Sequence, residues 1–462
     1  MPRRRNGASS SGQSYPAQLR QAMSQFLPHS GLPLLSGDAR VRWTSRLLAM
    51  TAIFMVWSPC RTLLDRLAEA RQAVVRIYPT RRRPGRSHEG FSKALARHGT
   101  RVLEALAVHW RRCVRQVAGR CWEEYGWVVF GVDGTTFDCP RTGANEHAFG
   151  LTGWNSQGRP QQRLTCLFHV ASGLLWSWAR DGAKQSSERC QLRRMLPLLP
   201  GNSLLLADAG FHGYDMMRLL LDRGGSFLMR VGSNVKLLTK LGYAVRERKQ
   251  TVYLWPLAQQ GRAARKKQWR HREGIEPPLV LRLIRLNDSK GRSMCLLTNV
   301  LEKKRLGDSA AARLYRLRWG VEVMWRDLKQ TMGHRKMLSG SPERAAAELD
   351  WTMAGQWLLQ LMSVHRMTES KQMPRRYSPA ESLRVLRGAM SGRQKKRRSL
   401  KSELKEAVMD KYRRRAPKQA RHINPKQAHL PPGEPLARMA TRAERQLAQR
   451  LLSHPPPESL AA

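Results

Sequence analysis

From Tyr125 onward the sequence changes its period. GWVVFGVDGTTFDC, QRLTCLFHVAS and LLWSWARDG are short runs, rich in β-branched and aromatic residues and bounded by turn formers. They predict three successive strands. A helix is expected from Ser186 to Leu199, stopped by Pro200-Gly201. Next come an apolar strand, SLLLADAGF, a helix, GYDMMRLLLDRGG, ending in glycine, and another strand, SFLMRV. The order β-β-β-α-β-α-β requires an α/β fold, a mixed sheet flanked by helices.

That order resembles the ribonuclease H-like core, expected over residues 123–368. Residues 232–300 interrupt it with strand-like TVYLWPL and basic GRAARKKQWRHREG, and read as a β-rich insertion. LVLRLIRL and MCLLTNV are either its later strands or the return to the core sheet. Ahead of the core, residues 38–122 repeat apolar positions at three and four, as in RVLEALAVHWRRCVRQV, and predict a helical domain. An Arg-rich loop, PTRRRPGRSHEG, divides it, and its Arg81–Arg86 stretch is basic enough to lie on a phosphate backbone. Residues 1–37 are basic, Ser/Gly/Pro-rich and expected to be flexible; residues 369–462 form a basic tail, largely extended or helical.

Charge narrows the function. Lys and Arg number 83 against 34 Asp and Glu, a formal net charge of +49. Such an excess repels itself unless a polyanion offsets it, and nucleic acid is the first candidate. Seven scattered cysteines without a C-x-x-C pair argue for a reducing compartment and against a zinc module. The longest apolar run, LLAMTAIFMVW, is too short to span a bilayer, so a soluble, cytosolic protein is expected.

The chemistry is sought among carboxylates. Asp133 ends an apolar strand in GWVVFGVDG, and Asp208 ends another in SLLLADAGF. Each alone admits a plainer account, a D-G turn for the first and a cap for the second. The third is Glu322, in LYRLRWGVEVMWRDLKQ. On a straight helix at about 100° per residue, Tyr315, Arg318, Glu322 and Lys329 share a stripe roughly 60° wide. A solvated face with salt bridges would give the same pattern. Asp327 and Asp138 are nearby acids outside this set. Three carboxylates converging at a sheet edge would need counter-cations, and oxygen-only ligands suit Mg²⁺ or Mn²⁺. Two ions about 4 Å apart can bind both the attacking and the leaving oxygen of a phosphodiester.

Tyr315, Arg318, Glu322 and Lys329 have the spacing Y-x2-R-x3-E-x6-K, similar to the signature of a branch of bacterial insertion-sequence transposases that use an Asp-Asp-Glu triad. Asp133 in VDGT and Asp208 in D-A-G-F match that family's other two blocks, in order. The resemblance implies Asp133, Asp208 and Glu322 as catalytic and metal ligands, with two Mg²⁺ or Mn²⁺ ions per site. It implies Tyr315, Arg318 and Lys329 as DNA contacts, and double-stranded transposon ends and target DNA as partners. It further implies that the helical residues 38–122 are a DNA-binding domain, and it implies a homodimeric end complex, cut-and-paste chemistry and a bacterial, nucleoid-associated setting. Members that excise through hairpins stack a flipped base on an aromatic ring, for which Trp319, Trp325, Trp255 and Trp269 are available. A structure-specific nuclease of the same fold would share all three acids, and a domesticated DNA-binding protein would have lost at least one.

Overall fold

Small polar side chains fix where the helices begin. In the computed structural model, Thr44 accepts a bond from Leu47 N, Thr62 from Asp65 N and Ser87 from Gly90 N, satisfying backbone donors that a first turn leaves open. The structure describes residues 13–28, 30–35, 42–79, 83–152, 158–255, 276–287, 293–393, 398–409 and 433–453. Residues 1–12, the basic run 261–274 with Trp269, and Arg81 and Arg82 lie outside them, while Tyr15–Ser24, in the segment expected to be flexible, is a helix with buried Leu19 and Met23.

The elements in chain order are helices α1 (Tyr15–Ser24), α2 (Ser45–Trp57), α3 (Leu63–Ile77) and α4 (His88–Ala118), then strand β1 (Val128–Asp138). Helix α5 (Gly143–Phe149) precedes β2 (Leu151–Thr152), β3 (Arg159–His169) and β4 (Leu174–Gly182). Helix α6 (Glu188–Met195), β5 (Ser203–Ala207), α7 (Tyr214–Asp222) and β6 (Ser226–Val231) follow. Next are β7 (Lys236–Thr239), β8 (Thr251–Leu254), β9 (Leu279–Asn287) and β10 (Ser293–Thr298). Then come α8 (Asp308–Leu317), α9 (Trp319–Arg326), α10 (Pro342–Glu369), α11 (Pro379–Ser391), α12 (Leu400–Glu406), β11 (Leu436–Met439) and α13 (Arg442–Ser453). Residues of this chain divide into two units. The first holds 1–122, 134–187 and 320–411; the second holds 123–133, 188–319 and 412–462.

The first unit is built around α10. Helix α2 is apolar on every side and is buried almost throughout, as such a helix must be. Its Trp57 donates to Gly355 O at 3.0 Å, and a Cβ on Gly355 would meet Val56 Cγ1 at 2.6 Å. Trp110 on α4 and Trp178 on β4 meet Trp357 edge-on at 5.3 and 5.9 Å. Antiparallel β2, β3 and β4 complete this unit, with a bulge between Leu167 and Phe168. Residues 379–391 and 400–406, in the region expected to be a basic tail, add helices with buried leucines. Among the described residues no helix is long and apolar enough to cross a membrane.

The second unit holds a mixed sheet. Its parallel part runs β1, β5, β6, with β5 buried at every residue, as a near-continuous apolar run predicts for a strand covered on both faces. Strand β10 returns antiparallel beside β6, then β9, β8 and β7 extend the same sheet. Strand β11 adds in parallel to β7. Helix α13 and Ala440 close a small core with Leu238, Leu241, Tyr253 and Trp255.

Candidate active site

Strands β1 and β5 pair in parallel from Val128↔Ser203 to Gly131↔Leu206. Carried two places further, that register sets Asp133 beside Asp208. The two carboxylates therefore stand level, one within β1 and the other just past the end of β5, and both are part-exposed, 23% and 39%. Asp208 also opens a turn: its Oδ1 accepts from Ala209 N at 2.8 Å and its carbonyl from Phe211 N at 3.0 Å. Phe211 is buried, and Arg189 on α6 donates to Gly210 O at 2.8 Å, so the D-A-G-F turn is pinned from both sides. His212 bonds Ala209 O, and burial pushes its imidazole below the usual value.

Arg318 joins the pair. Its Nη1 lies 4.0 Å from Asp133 Oδ1 and its Nη2 3.7 Å from Asp208 Oδ2, on a side chain only 9% exposed. Tyr315 donates its hydroxyl to Asp208 at 3.4 Å, and its ring lies 5.7 Å from the Arg318 guanidinium carbon. Burial, then the charge of Asp208, raise the Tyr315 phenol well above its ordinary value, so the hydroxyl keeps its proton.

The other unit carries Glu322, half-buried on α9, and Lys329. Lys329 Nζ donates to Thr135 Oγ1 at 2.5 Å and Thr136 O at 3.0 Å, with the Phe137 ring at 4.9 Å. Burial lowers its ammonium below the ordinary lysine range. Asp138 is held by Gln161 at 2.7 Å and Arg159 at 3.5 Å. Asp327 is buried, and desolvation raises its carboxyl to about 6.

The straight helix expected over Leu314–Gln330 does not form as one cylinder. Helix α8 ends at Leu317, and Arg318 N bonds Tyr315 O, three residues back, at 3.1 Å. At the far end Asp327–Thr331 is a π-helical turn, closed by Met332 N to Asp327 O at 3.0 Å. A tighter turn and a wider one each change the advance per residue from the roughly 100° of a straight helix. Of the candidate tryptophans, Trp319 is 62% exposed, while Trp325 and Trp255 are buried. Arg189, Thr135 and Thr136 were not foreseeable as partners, because their roles depend on distant backbone.

Two acceptor-only carboxylates gathered under one guanidinium form a hard oxygen set already holding a positive charge, which fits Mg²⁺ or Mn²⁺. Among the described residues no three acidic, His or Cys side chains stand close enough to form a metal cluster as placed.

Residues 127–354 match the family described as "Transposase DDE domain", a span that includes Asp133, Asp208, Tyr315, Arg318, Glu322 and Lys329. "Transposase InsG for insertion sequence element IS4" of Escherichia coli (strain K12) is 26% identical over 285 residues, 58% of this chain and 61% of that protein. The chain thus spans about three fifths of the length of this curated relative. The cryo-EM structure of the piggyBac transposase synaptic complex with hairpin DNA overlaps 88% of each chain at 10% identity, with a TM-score of 0.43, too loose to bear on the fold.

Proposed function

We propose that this chain, which carries a transposase DDE domain over residues 127–354, is a DNA transposase of the Y-x2-R-x3-E-x6-K branch. It cuts the backbone at the ends of an insertion sequence and joins the freed ends to target DNA. The observation that carries the reading is that the β1–β5 register, carried two places on, sets Asp133 level with Asp208 inside that span, with Arg318 reaching both. Asp133, Asp208 and Glu322 are the carboxylates of a ribonuclease H-like site and would hold two Mg²⁺ or Mn²⁺ ions. Bound there, the metal would lower the pKa of water and offset charge on the phosphodiester.

The side chains around the acids bind and orient the substrate. Tyr315, whose hydroxyl stays protonated, donates to a phosphate oxygen. Arg318 and Lys329 present positive charge to the backbone, contacts that position DNA without reading its sequence. A net charge of +49 suits a duplex partner. The end complex is a homodimer working in the bacterial cytoplasm, at the nucleoid.

The test uses purified protein and a duplex copied from the DNA bordering its reading frame. Asp208→Asn and Glu322→Gln should keep most of the binding and lose cleavage by several orders of magnitude, since they remove charge stabilisation and not contact area. Cleavage that persists in either variant, or in excess EDTA, would exclude this reading.

A further inference from the structure

Continued past Gly131 and Leu206, the β1–β5 register brings Asp133 and Asp208 level, and two like charges gathered at one guanidinium repel. The guanidinium of Arg318 spans them, 4.0 Å from one and 3.7 Å from the other, almost wholly buried. Arginine suits that place because it is planar, always charged and weakly hydrated. The Tyr315 ring beside it, at 5.7 Å, adds an aromatic face on which the guanidinium rests. The oxygens it faces are the ones a divalent ion would take in the reading above.

A guanidinium and a metal ion cannot both sit against the same two carboxylates without strong mutual repulsion. We infer that Arg318 is the resident counter-cation of the Asp133–Asp208 pair and sets when that pair accepts a divalent ion. With the guanidinium on the carboxylates, metal affinity is low. When a DNA phosphate draws the guanidinium toward itself, the pair recovers its full negative charge and the metal binds. Metal loading thereby becomes conditional on DNA, and Arg318 acts as a positioning residue as well as a phosphate contact. The inference rests on the pair being a metal site, and the experiment separates the two claims.

Mn²⁺ binding to the full chain, without DNA, is followed by electron paramagnetic resonance, with a thermal melt of each variant. Arg318→Met and Arg318→Gln should bind Mn²⁺ roughly tenfold tighter than the unaltered chain or more. Arg316→Met removes an exposed charge two residues away and should change affinity less than about twofold. Adding Asp208→Asn to Arg318→Met should abolish the gain. A short duplex should tighten binding by the unaltered chain, after subtraction of Mn²⁺ held by the duplex alone, and leave Arg318→Met unchanged. Equal or weaker affinity in folded Arg318→Met and Arg318→Gln overturns the inference, as does unfolding of both. A gain that survives Asp208→Asn overturns the metal-site reading itself.

Discussion

Lys329 ties its ammonium to Thr135 and Thr136, one step beyond the Asp133-Gly134 pair. It has two roles in the proposed function, holding the end of β1 and facing the DNA backbone, and two substitutions separate them. Lys329→Met should lower the magnitude of the log K against log salt slope by about 0.9 and destabilise the fold by about 1–2 kcal/mol. Thr135→Val should lower stability by about 1 kcal/mol and leave the slope unchanged; a changed slope would put the hydroxyl itself on the DNA. Asp327 gives a pH-dependent case. Its carboxyl is raised from 3.8 to about 6, chiefly by burial. An acid raised on folding binds its proton more tightly in the folded state. The penalty is absent below the unfolded value, grows between 3.8 and about 6, and is complete above that. Asp327→Asn should therefore raise stability at pH 7.5, by about 1–3 kcal/mol, with no gain at pH 4. Equal melting shifts at the two pH values would contradict that origin.

The contact of α2 with α10 is decided by one missing methyl group. Alanine in place of Gly355 would gain about 1 kcal/mol in helix propensity. Its Cβ would also stand 2.6 Å and 2.8 Å from Val56 carbons, and overpacking of that kind costs about 1–3 kcal/mol. We expect Gly355→Ala to be destabilising and Val56→Ala to restore part of the loss in the double variant, measured by urea midpoints; a more stable Gly355→Ala would show that the helices part easily. Elements were legible in the sequence where local pattern and burial agree. VVFGVD and SLLLAD announce strands because apolar runs end in an acid, and the same pattern pointed to Asp133 and Asp208. The break at Arg318 was not legible, because every residue from Leu314 to Gln330 except Gly320 tolerates a regular helix. Nor was β11, whose LARM is half-exposed or exposed and takes its conformation from β7.

At the scale of the whole molecule, two buried imidazoles among the described residues limit acid tolerance. His169 bonds Ser172 at 2.7 Å and Trp122 O at 3.0 Å, and His334 bonds Val56 O at 3.0 Å. Burial lowers both from 6.5 to about 4. A base depressed on folding prefers to be neutral in the folded state, so its contribution is complete above 6.5 and is lost as pH falls toward 4. Each should cost about 3 kcal/mol across that window. Urea midpoints should fall between pH 7 and pH 5, with proton uptake on unfolding seen by calorimetry in two buffers; flat midpoints would mean these imidazoles charge without unfolding.

Strand β11 also has a history. Leu436 lies beside Lys236, so β7 meets its neighbour 200 residues after it is made. At roughly 5–20 residues per second, a ribosome takes about 10–40 s to supply it. Throughout that interval β7 is an open edge, and an open edge will pair with another strand. The nearest such strands are on the neighbouring ribosomes of the same message. Dense translation therefore favours clumping of unfinished chains, and sparse translation favours completed ones, so the yield of active protein should rise less than in proportion to its messenger's traffic.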